Sequence, residues 1–166
     1  MIDSYDSEAI VKIYRLIVKK CEAIDRFIKN HALYFGPTTS EYDSFDVYNN
    51  IIDLMERKNQ LINLNIIIDQ AIKSLSENDK KILLMKMNYD ISMGELCGIL
   101  NLKERTAFRR IENAYNNFAL ALNRSKYLSK LEYIINNEEW IVEFREEIKE
   151  RRKAFKPQLE SKVSIL

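Results

Sequence analysis

Glycine and proline are scarce in this chain, which has three glycines and two prolines in 166 residues. A strand-rich fold of this length needs many tight turns, and such turns are built mainly from glycine, proline and asparagine. The shortage therefore excludes most β-rich folds. Hydrophobic residues reach 46% and charged residues 31%, a balance that gives every helix an apolar and a polar side and is too apolar for a disordered chain. We expect an all-α fold.

Long apolar runs and closely spaced cysteines are also absent. No run approaches the roughly 20 residues that span a bilayer, and the polar start of the chain does not resemble a signal peptide. We therefore expect a cytoplasmic protein with no membrane partner.

Cys21 and Cys97 are far apart in the sequence and lack a second metal ligand at CxxC spacing, so we expect two buried thiols and no metal.

Residues that would form a catalytic or cofactor site are missing as well. His31 is the only histidine, and no adjacent carboxylate or cysteine would form a dyad or a metal site with it. The acidic pairs at 138–139 and 146–147 are typical of an exposed, solvated helix face. No glycine-rich phosphate-binding motif occurs. We expect no enzyme activity and no cofactor.

A helical hairpin is predicted for residues 1–75. Its first helix should begin at Asp6 or Ser7, either of which would cap it, and end near Phe35, where Gly36 and Pro37 stop it. Apolar residues recur on one side of this helix at spacings of three and four, namely Ile10, Ile13, Ile17, Cys21, Ile24, Phe27, Ile28 and Phe35. A connector at about 36–45 follows.

The second helix of the hairpin should run from about Asp46 to Ser74, antiparallel to the first. Its predicted apolar face consists of Tyr48, Ile51, Ile52, Met55, Ile62, Ile66, Ile68, Ile72 and Leu75. The run from Leu64 to Asp69 is apolar nearly all round, so it should be buried against more than the first helix. Such spacing is typical of intramolecular packing and also of an oligomeric coiled coil, and the sequence leaves both open.

A C-terminal helical extension is predicted for residues 127–166. A polar break at residues 136–137 precedes an amphipathic helix from about Glu138 to Phe155. One face of this helix carries Trp140, Phe144, Ile148, Arg152 and Phe155. We expect that face to be buried, with Trp140 in the core. The tail from Lys156 onward shows no strong apolar period, and we assign it no function.

Three shorter helices are predicted within residues 76–126. The first should start at Ser76 and end at the turn-prone triplet 88–90. The second should start at Ser92, which has capping-box spacing to Glu95, and end at Asn101, a residue type that tolerates the left-handed conformation of a tight turn. The third should run from Glu104 to about Asn123. Its expected inward face is Ala107, Ile111, Ala114, Tyr115, Phe118 and Leu122, and its expected outward residues are Arg105, Phe108, Arg109 and Glu112.

Positive charge is concentrated in this middle region, although the net charge of the whole chain is only +1. Residues 76–126 contain 9 basic against 6 acidic side chains, compared with 9 against 11 before them and 8 against 8 after them. A local basic surface is what binding to nucleic acid requires. A solvated helix face is the alternative explanation of the same charges.

The stretch from Leu75 to Ile111 resembles region four of bacterial sigma factors and the related helix-turn-helix regulators. In this resemblance Ser92 caps the scaffold helix, and Cys97 is the small residue at which two helices approach. Asn101 stands where the turn glycine is usual, with Leu102 and Ala107 as apolar anchors. Lys103 in place of a serine cap, and glycines at 94 and 98, also depart from that pattern. The larger layout is similar to phage late-gene regulators of the RinA and ArpU type.

This resemblance implies a sequence-specific DNA-binding transcription regulator whose helix from Glu104 enters the major groove. Arg105 and Arg109 would each present a bidentate fork to guanine. Phe108 would contact a thymine methyl or pack on the preceding helix. Candidates for phosphate contacts are Lys103, Arg110, Arg124 and Lys126. The full set of expected DNA-contacting residues is Lys103, Glu104, Arg105, Thr106, Phe108, Arg109, Arg110, Arg124 and Lys126.

A protein-interaction module is the alternative function. In that case the same fold would bind RNA polymerase, another regulator or a second copy of the chain, and its arginines would serve acidic protein surfaces. Binding to duplex DNA separates the two functions, because counterion release makes DNA affinity fall steeply with salt.

Overall fold

The computed structural model describes the backbone of residues 1–34, 41–89 and 91–163, and the side chains of residues 1–31, 45–89 and 91–153. Within these ranges the chain forms helices and no strand, which confirms the predicted all-α fold. The helices are α1 (Ser4–Tyr34), α2 (Glu41–Lys73), α3 (Glu77–Tyr89), α4 (Met93–Leu100), α5 (Glu104–Asn123), α6 (Leu128–Asn137) and α7 (Glu139–Val163). The predicted roles of Phe35, Gly36, Pro37, Asp90 and the Phe155 side chain lie outside the described residues.

Helices α1 and α2 form the predicted antiparallel hairpin. The Tyr14 hydroxyl donates to Asp69 at 2.9 Å, and Lys58 donates to Asp25 at 2.5 Å, so residues later in α1 meet residues earlier in α2. Burial and the hydrogen bond to Asp69 raise the pKa of Tyr14 to about 12. The helix α2 begins at Glu41, within the segment predicted as connector, because residues 41–45 contain no glycine or proline to interrupt a helix.

The apolar stripe of α1 is buried along most of its length. Ile10, Ile13 and Ile17 are fully enclosed, whereas Cys21 is half-buried and Phe27 is 49% exposed. Phe27 lies about 100° around the helix from Ile28, which turns it away from the stripe and places its ring 4.0 Å from that of His31, centroid to centroid. Both cysteines were predicted to be buried thiols, but Cys21 and Cys97 are each only half-buried.

The helix α2 does not have the single apolar face that its sequence suggested. Ile68 and Ile72 are buried as predicted, but Tyr48, Met55, Ile62 and Ile66 are exposed. Leu61, Leu64 and Ile67 are buried in their place. The reason is that α2 packs on α5 and α6 as well as on α1. Within the run 64–69, Leu64, Ile67 and Ile68 are buried. Among the described side chains, none covers the side of α2 that carries Tyr48, Met55, Ile62 and Ile66.

One hydrophobic core joins the seven helices within the described part of the chain. It contains side chains from α1 and α2, from α3 to α5, and from α6 and α7. The hairpin therefore packs within the molecule, and α1 contacts α3, α5 and α7 as well as α2. The helix α6 was missing from the sequence-based prediction, and its Leu131, Ile134 and Ile135 are buried in this core.

Three features of the C-terminal extension differ from expectation. The helix α7 continues through Pro157 to Val163, because a proline removes one intrahelical hydrogen bond without preventing the helix from resuming. Glu138 is not on a solvated face but is 5% exposed. Its carboxylate accepts from Arg57 Nε at 3.0 Å and from Trp140 Nε1 at 3.0 Å. Trp140 itself is half-buried at the edge of the core, with Lys20 Nζ 5.5 Å from its ring centroid.

Candidate nucleic-acid interface

The scaffold helix α4 begins with a capping box, as its sequence predicted. The Ser92 hydroxyl accepts from the backbone N–H of Glu95 at 3.3 Å, and the Glu95 carboxylate accepts from the backbone N–H of Ser92 at 2.9 Å. Hydrogen bonds from the Ser92 hydroxyl and backbone hold the pKa of Glu95 below its usual value. These bonds satisfy donors that an open helix end would leave unpaired.

The turn between α4 and α5 is closed by a left-handed residue. Asn101 has φ 49° and ψ 50°, the conformation predicted for it. Its N–H donates to the Gly98 carbonyl at 3.3 Å, and the Leu102 N–H donates to the Cys97 carbonyl at 3.0 Å. This pair of bonds is a Schellman motif, which ends a helix within one residue. The start of α5 is thereby fixed relative to α4.

The rotation of α5 about its own axis is set by a continuous apolar face. All six residues predicted to face inward are buried, and Ala119 is buried with them. The predicted residues Lys103, Glu104, Arg105, Thr106, Arg109 and Arg110 are all exposed. Phe108 is 49% exposed, so the protein covers this residue only in part. Lys103 caps α5 without a side-chain hydrogen bond.

Glu112 does not point freely outward as its sequence position suggested. It is half-buried and forms an ion pair with Arg152 of α7 at 2.8 Å. Arg152 also pairs with Glu8 of α1 at 2.5 Å, and its guanidinium lies 5.0 Å from the Tyr5 ring centroid. The charges of Glu8 and Glu112 raise the pKa of Arg152 against the opposing effect of burial. This cluster anchors α5 to α1 and α7 beside the exposed arginines.

Arg124 and Lys126 lie far from the other predicted contact residues. They follow the C-terminal end of α5, and a helical rise of 1.5 Å per residue puts Arg124 about 28 Å along the axis from Arg105. Both side chains line an open groove that Asp79 and Asn117 also border. The structure therefore brings six of the predicted polar contact residues together at the start of α5 and separates these two.

Two asparagines lie on the same outward row and are not among the residues predicted from the sequence to contact DNA. Asn113 and Asn116 are exposed on α5, and Asn113 lies four residues after Arg109, one helical turn further along. Asparagine is a side chain that forms a bidentate pair with adenine. The spacing of four between residues 105, 109 and 113 is the feature of the sequence that places Asn113 on the same row as the two arginines.

Comparison of the chain with known protein families, with curated proteins and with solved structures finds no match. In the part of the chain that the structure describes, no group of three or more histidine, cysteine, aspartate or glutamate side chains is placed to hold a metal ion. Over the same ranges, none of the helices combines the length and the apolar character required to cross a membrane.

Proposed function

We propose that this protein is a sequence-specific DNA-binding transcription regulator of the sigma-like or phage late-gene type, acting in the cytoplasm. The observation that carries the proposal is the unit of α4, its Schellman turn and α5. This unit presents exposed Arg105 and Arg109 at the start of a helix whose opposite face is buried. That arrangement suits insertion of a helix N-terminus into the major groove. The proposal includes no enzymatic activity.

Each exposed side chain has a role that follows from its position. Arg105 and Arg109 lie one helical turn apart and would contact guanine edges. Lys103 and Arg110 would contact the phosphates on either side of the groove. Asn113 extends the same row and would reach a further base edge. We leave Arg124 and Lys126 outside this interface, because Arg124 lies about 28 Å from Arg105 along α5.

A protein-interaction module remains the second candidate, and one observation favours it. Apolar side chains are exposed on α3, α4 and α5, where Tyr89 is 73%, Ile99 52% and Phe108 49% exposed. Exposed apolar groups of this size suit a protein partner such as RNA polymerase better than a phosphate backbone.

The test is binding of the full chain to duplexes selected from a randomised library, measured by fluorescence anisotropy over a range of salt concentrations. We expect affinity to fall steeply with salt. The double variant Arg105→Ala/Arg109→Ala should bind the selected duplex at least tenfold more weakly, since each bidentate pair contributes about 1–3 kcal/mol. Its thermal unfolding should be nearly unchanged, because exposed substitutions usually fall within about 0.5 kcal/mol.

A matched control is the double variant Arg15→Ala/Arg26→Ala. It removes the same charge from two exposed positions on α1 and should retain wild-type affinity apart from a small nonspecific loss. Equal affinities for the two double variants would contradict the proposed reading helix. Salt-independent binding to DNA, together with loss of polymerase binding in Phe108→Ala, would support the protein-interaction module.

A further inference from the structure

A second apolar stripe runs along α2, and the side chains that the structure describes do not cover it. We call it the outer stripe, and its residues are Phe45, Tyr48, Ile52, Met55, Asn59, Ile62 and Ile66. Phe45 is 67% exposed, Tyr48 61%, Met55 52%, Ile66 47% and Ile62 40%. Single exposed hydrophobic residues are ordinary on protein surfaces, but a continuous row of this size marks an interaction surface.

The outer stripe is separate from the face that α2 uses inside the molecule. Leu54, Leu61, Ile68 and Ile72 pack into or against the core, and at 100° per residue they lie about 120° around the helix from the stripe. The apolar spacing in α2 therefore has two parts. One part accounts for intramolecular packing, and the other has no partner within the residues whose side chains are described.

The spacing of the outer stripe is that of a coiled-coil seam. Its residues alternate at intervals of three and four over three heptads, so that Phe45, Ile52, Asn59 and Ile66 take the a positions and Tyr48, Met55 and Ile62 take the d positions. The stripe is about 31 Å long. An irregular hydrophobic patch would not repeat in this way.

Asn59 indicates which partner covers the seam. It is the one polar residue of the stripe, it is exposed, and it stands at an a position. In a parallel pair of identical helices, a positions face each other, so the amide of Asn59 would meet an identical amide, which offers both a donor and an acceptor. A different partner would need a matching polar group at this one level.

The charges beside the seam are compatible with a second copy. No seam residue from Phe45 to Ile66 is charged, and the charged residues at the flanking e and g positions are Glu56 and Lys58. In a parallel pair Glu56 faces Ile51 of the other copy, and Lys58 faces Asn63, so no like charges oppose each other across the seam. Lys58 is also paired with Asp25 of its own chain at 2.5 Å.

We propose that two copies of this chain associate through the outer stripe as a parallel two-stranded coiled coil. The proposal goes beyond DNA binding and does not depend on it. Parallel pairing places the two C-terminal ends of α2, and hence the two units of α3 to α5, at the same end of the coiled coil. If the chain binds DNA as proposed, the pair presents two reading helices to two half-sites.

The test is sedimentation velocity of the full chain over a range of micromolar concentrations. The wild-type protein should sediment at twice its 19.7 kDa chain mass. Met55→Lys should sediment as a single chain, because it places a charge in the seam. Leu120→Lys is the matched control, since Leu120 on α5 is 51% exposed and Met55 is 52% exposed. It should keep the double mass. Both variants should retain wild-type helicity by circular dichroism.

Asn59 supplies a second, independent readout. Asn59→Ile should shift association to lower protein concentration, because it removes the polar layer from the seam. Asn59→Cys, in a chain with Cys21→Ser and Cys97→Ser, should form an intermolecular disulfide under mild oxidation in the folded protein.

Three outcomes overturn the proposal in whole or in part. One is a wild-type chain that sediments at 19.7 kDa at every concentration, which would assign the stripe to a different partner. Another is a Met55→Lys chain that keeps the double mass, which would place the self-association elsewhere. Failure of the Asn59→Cys variant to cross-link while the double mass persists would overturn the parallel register. None of these outcomes bears on DNA binding by α5.

Discussion

Asn101 is the residue on which the turn between α4 and α5 depends. Among the non-glycine residues that the structure describes, it alone has a positive φ, 49°. Asparagine tolerates this region better than alanine, and glycine adopts it freely. We predict that Asn101→Ala lowers the free energy of unfolding by about 1 kcal/mol, whereas Asn101→Gly changes it by less than about 0.5 kcal/mol. Urea denaturation of the three proteins measures the difference, and equal losses in both variants would contradict the left-handed turn.

Trp140 is a residue whose position differs from expectation. It is half-buried and donates to Glu138 rather than filling the centre of the core. We predict that Trp140→Ala lowers the free energy of unfolding by about 2 kcal/mol, with a smaller loss for Trp140→Phe, which keeps an aromatic ring. Chemical denaturation followed by circular dichroism checks this. A loss of about 3–5 kcal/mol, as for a fully enclosed aromatic residue, would contradict the half-buried position.

Single residues were predictable where the backbone itself dictates their type. Ser92 and Asn101 were identified because few residue types cap a helix or accept a left-handed φ. Glu138 was misplaced, since its burial depends on Arg57, which is 81 positions away in the sequence. Glu112 is similar, because its partner Arg152 comes from α7. Nothing local to either glutamate indicates its partner.

The capping box gives the helix α4 a dependence on pH. The pKa of Glu95 is lowered in the folded protein by its bonds to Ser92, so the stabilisation is present above the ordinary glutamate pKa and is lost as pH falls through the lowered value. We predict that Ser92→Ala lowers the free energy of unfolding by about 1 kcal/mol at neutral pH. The difference from wild type should shrink as pH falls below about 4.

Thermal unfolding at a series of pH values measures this dependence. Ser129→Ala is the matched control, because Ser129 is exposed on α6 and should show no difference at any pH. A Ser92→Ala deficit that stays constant down to the most acidic conditions would contradict the role of the Glu95 carboxylate.

Whole elements were predictable when one face of a helix meets one surface. All six residues predicted for the inward face of α5 are buried, with Ala119 in addition, because the 3.6-residue period of this helix corresponds to one buried side. The buried face of α2 was predicted only in part, since this helix packs on α1, α5 and α6 and also carries the outer stripe, and its apolar residues lie nearly all round. The helix α6 was missed although Leu131, Ile134 and Ile135 have helical spacing, because ten residues give a short pattern.

At the scale of the molecule, one buried ion pair connects the two ends of the chain. Asp6 of α1 accepts from Arg145 of α7 at 2.7 Å, and these side chains are 6% and 14% exposed. Arg145 also donates to Asn136 at 2.8 Å. We predict that Asp6→Asn lowers the free energy of unfolding by about 3 kcal/mol, because it leaves a buried guanidinium without its counter-charge. Asp25→Asn, which removes the more exposed pair with Lys58, should cost less than about 1 kcal/mol.

The shared core predicts that the whole described chain unfolds in one cooperative transition, in the wild-type protein and in Asp6→Asn. Unfolding followed by far-ultraviolet circular dichroism and by Trp140 fluorescence should give coincident transitions, because side chains from all seven helices of the described chain pack in one cluster. Separate midpoints for the two signals would show that the C-terminal extension unfolds independently of the hairpin.

The sequence by itself determined the helical class, the hairpin and the turn between α4 and α5, because these depend on composition, period and the few residue types that cap or turn a helix. Only the tertiary structure decided which side of α2 is covered and where Glu112, Glu138 and Trp140 lie. Those features depend on which helices meet. Contacts between residues a hundred positions apart, such as the bond from Ser7 to the Tyr115 carbonyl at 2.9 Å, leave no trace in local spacing.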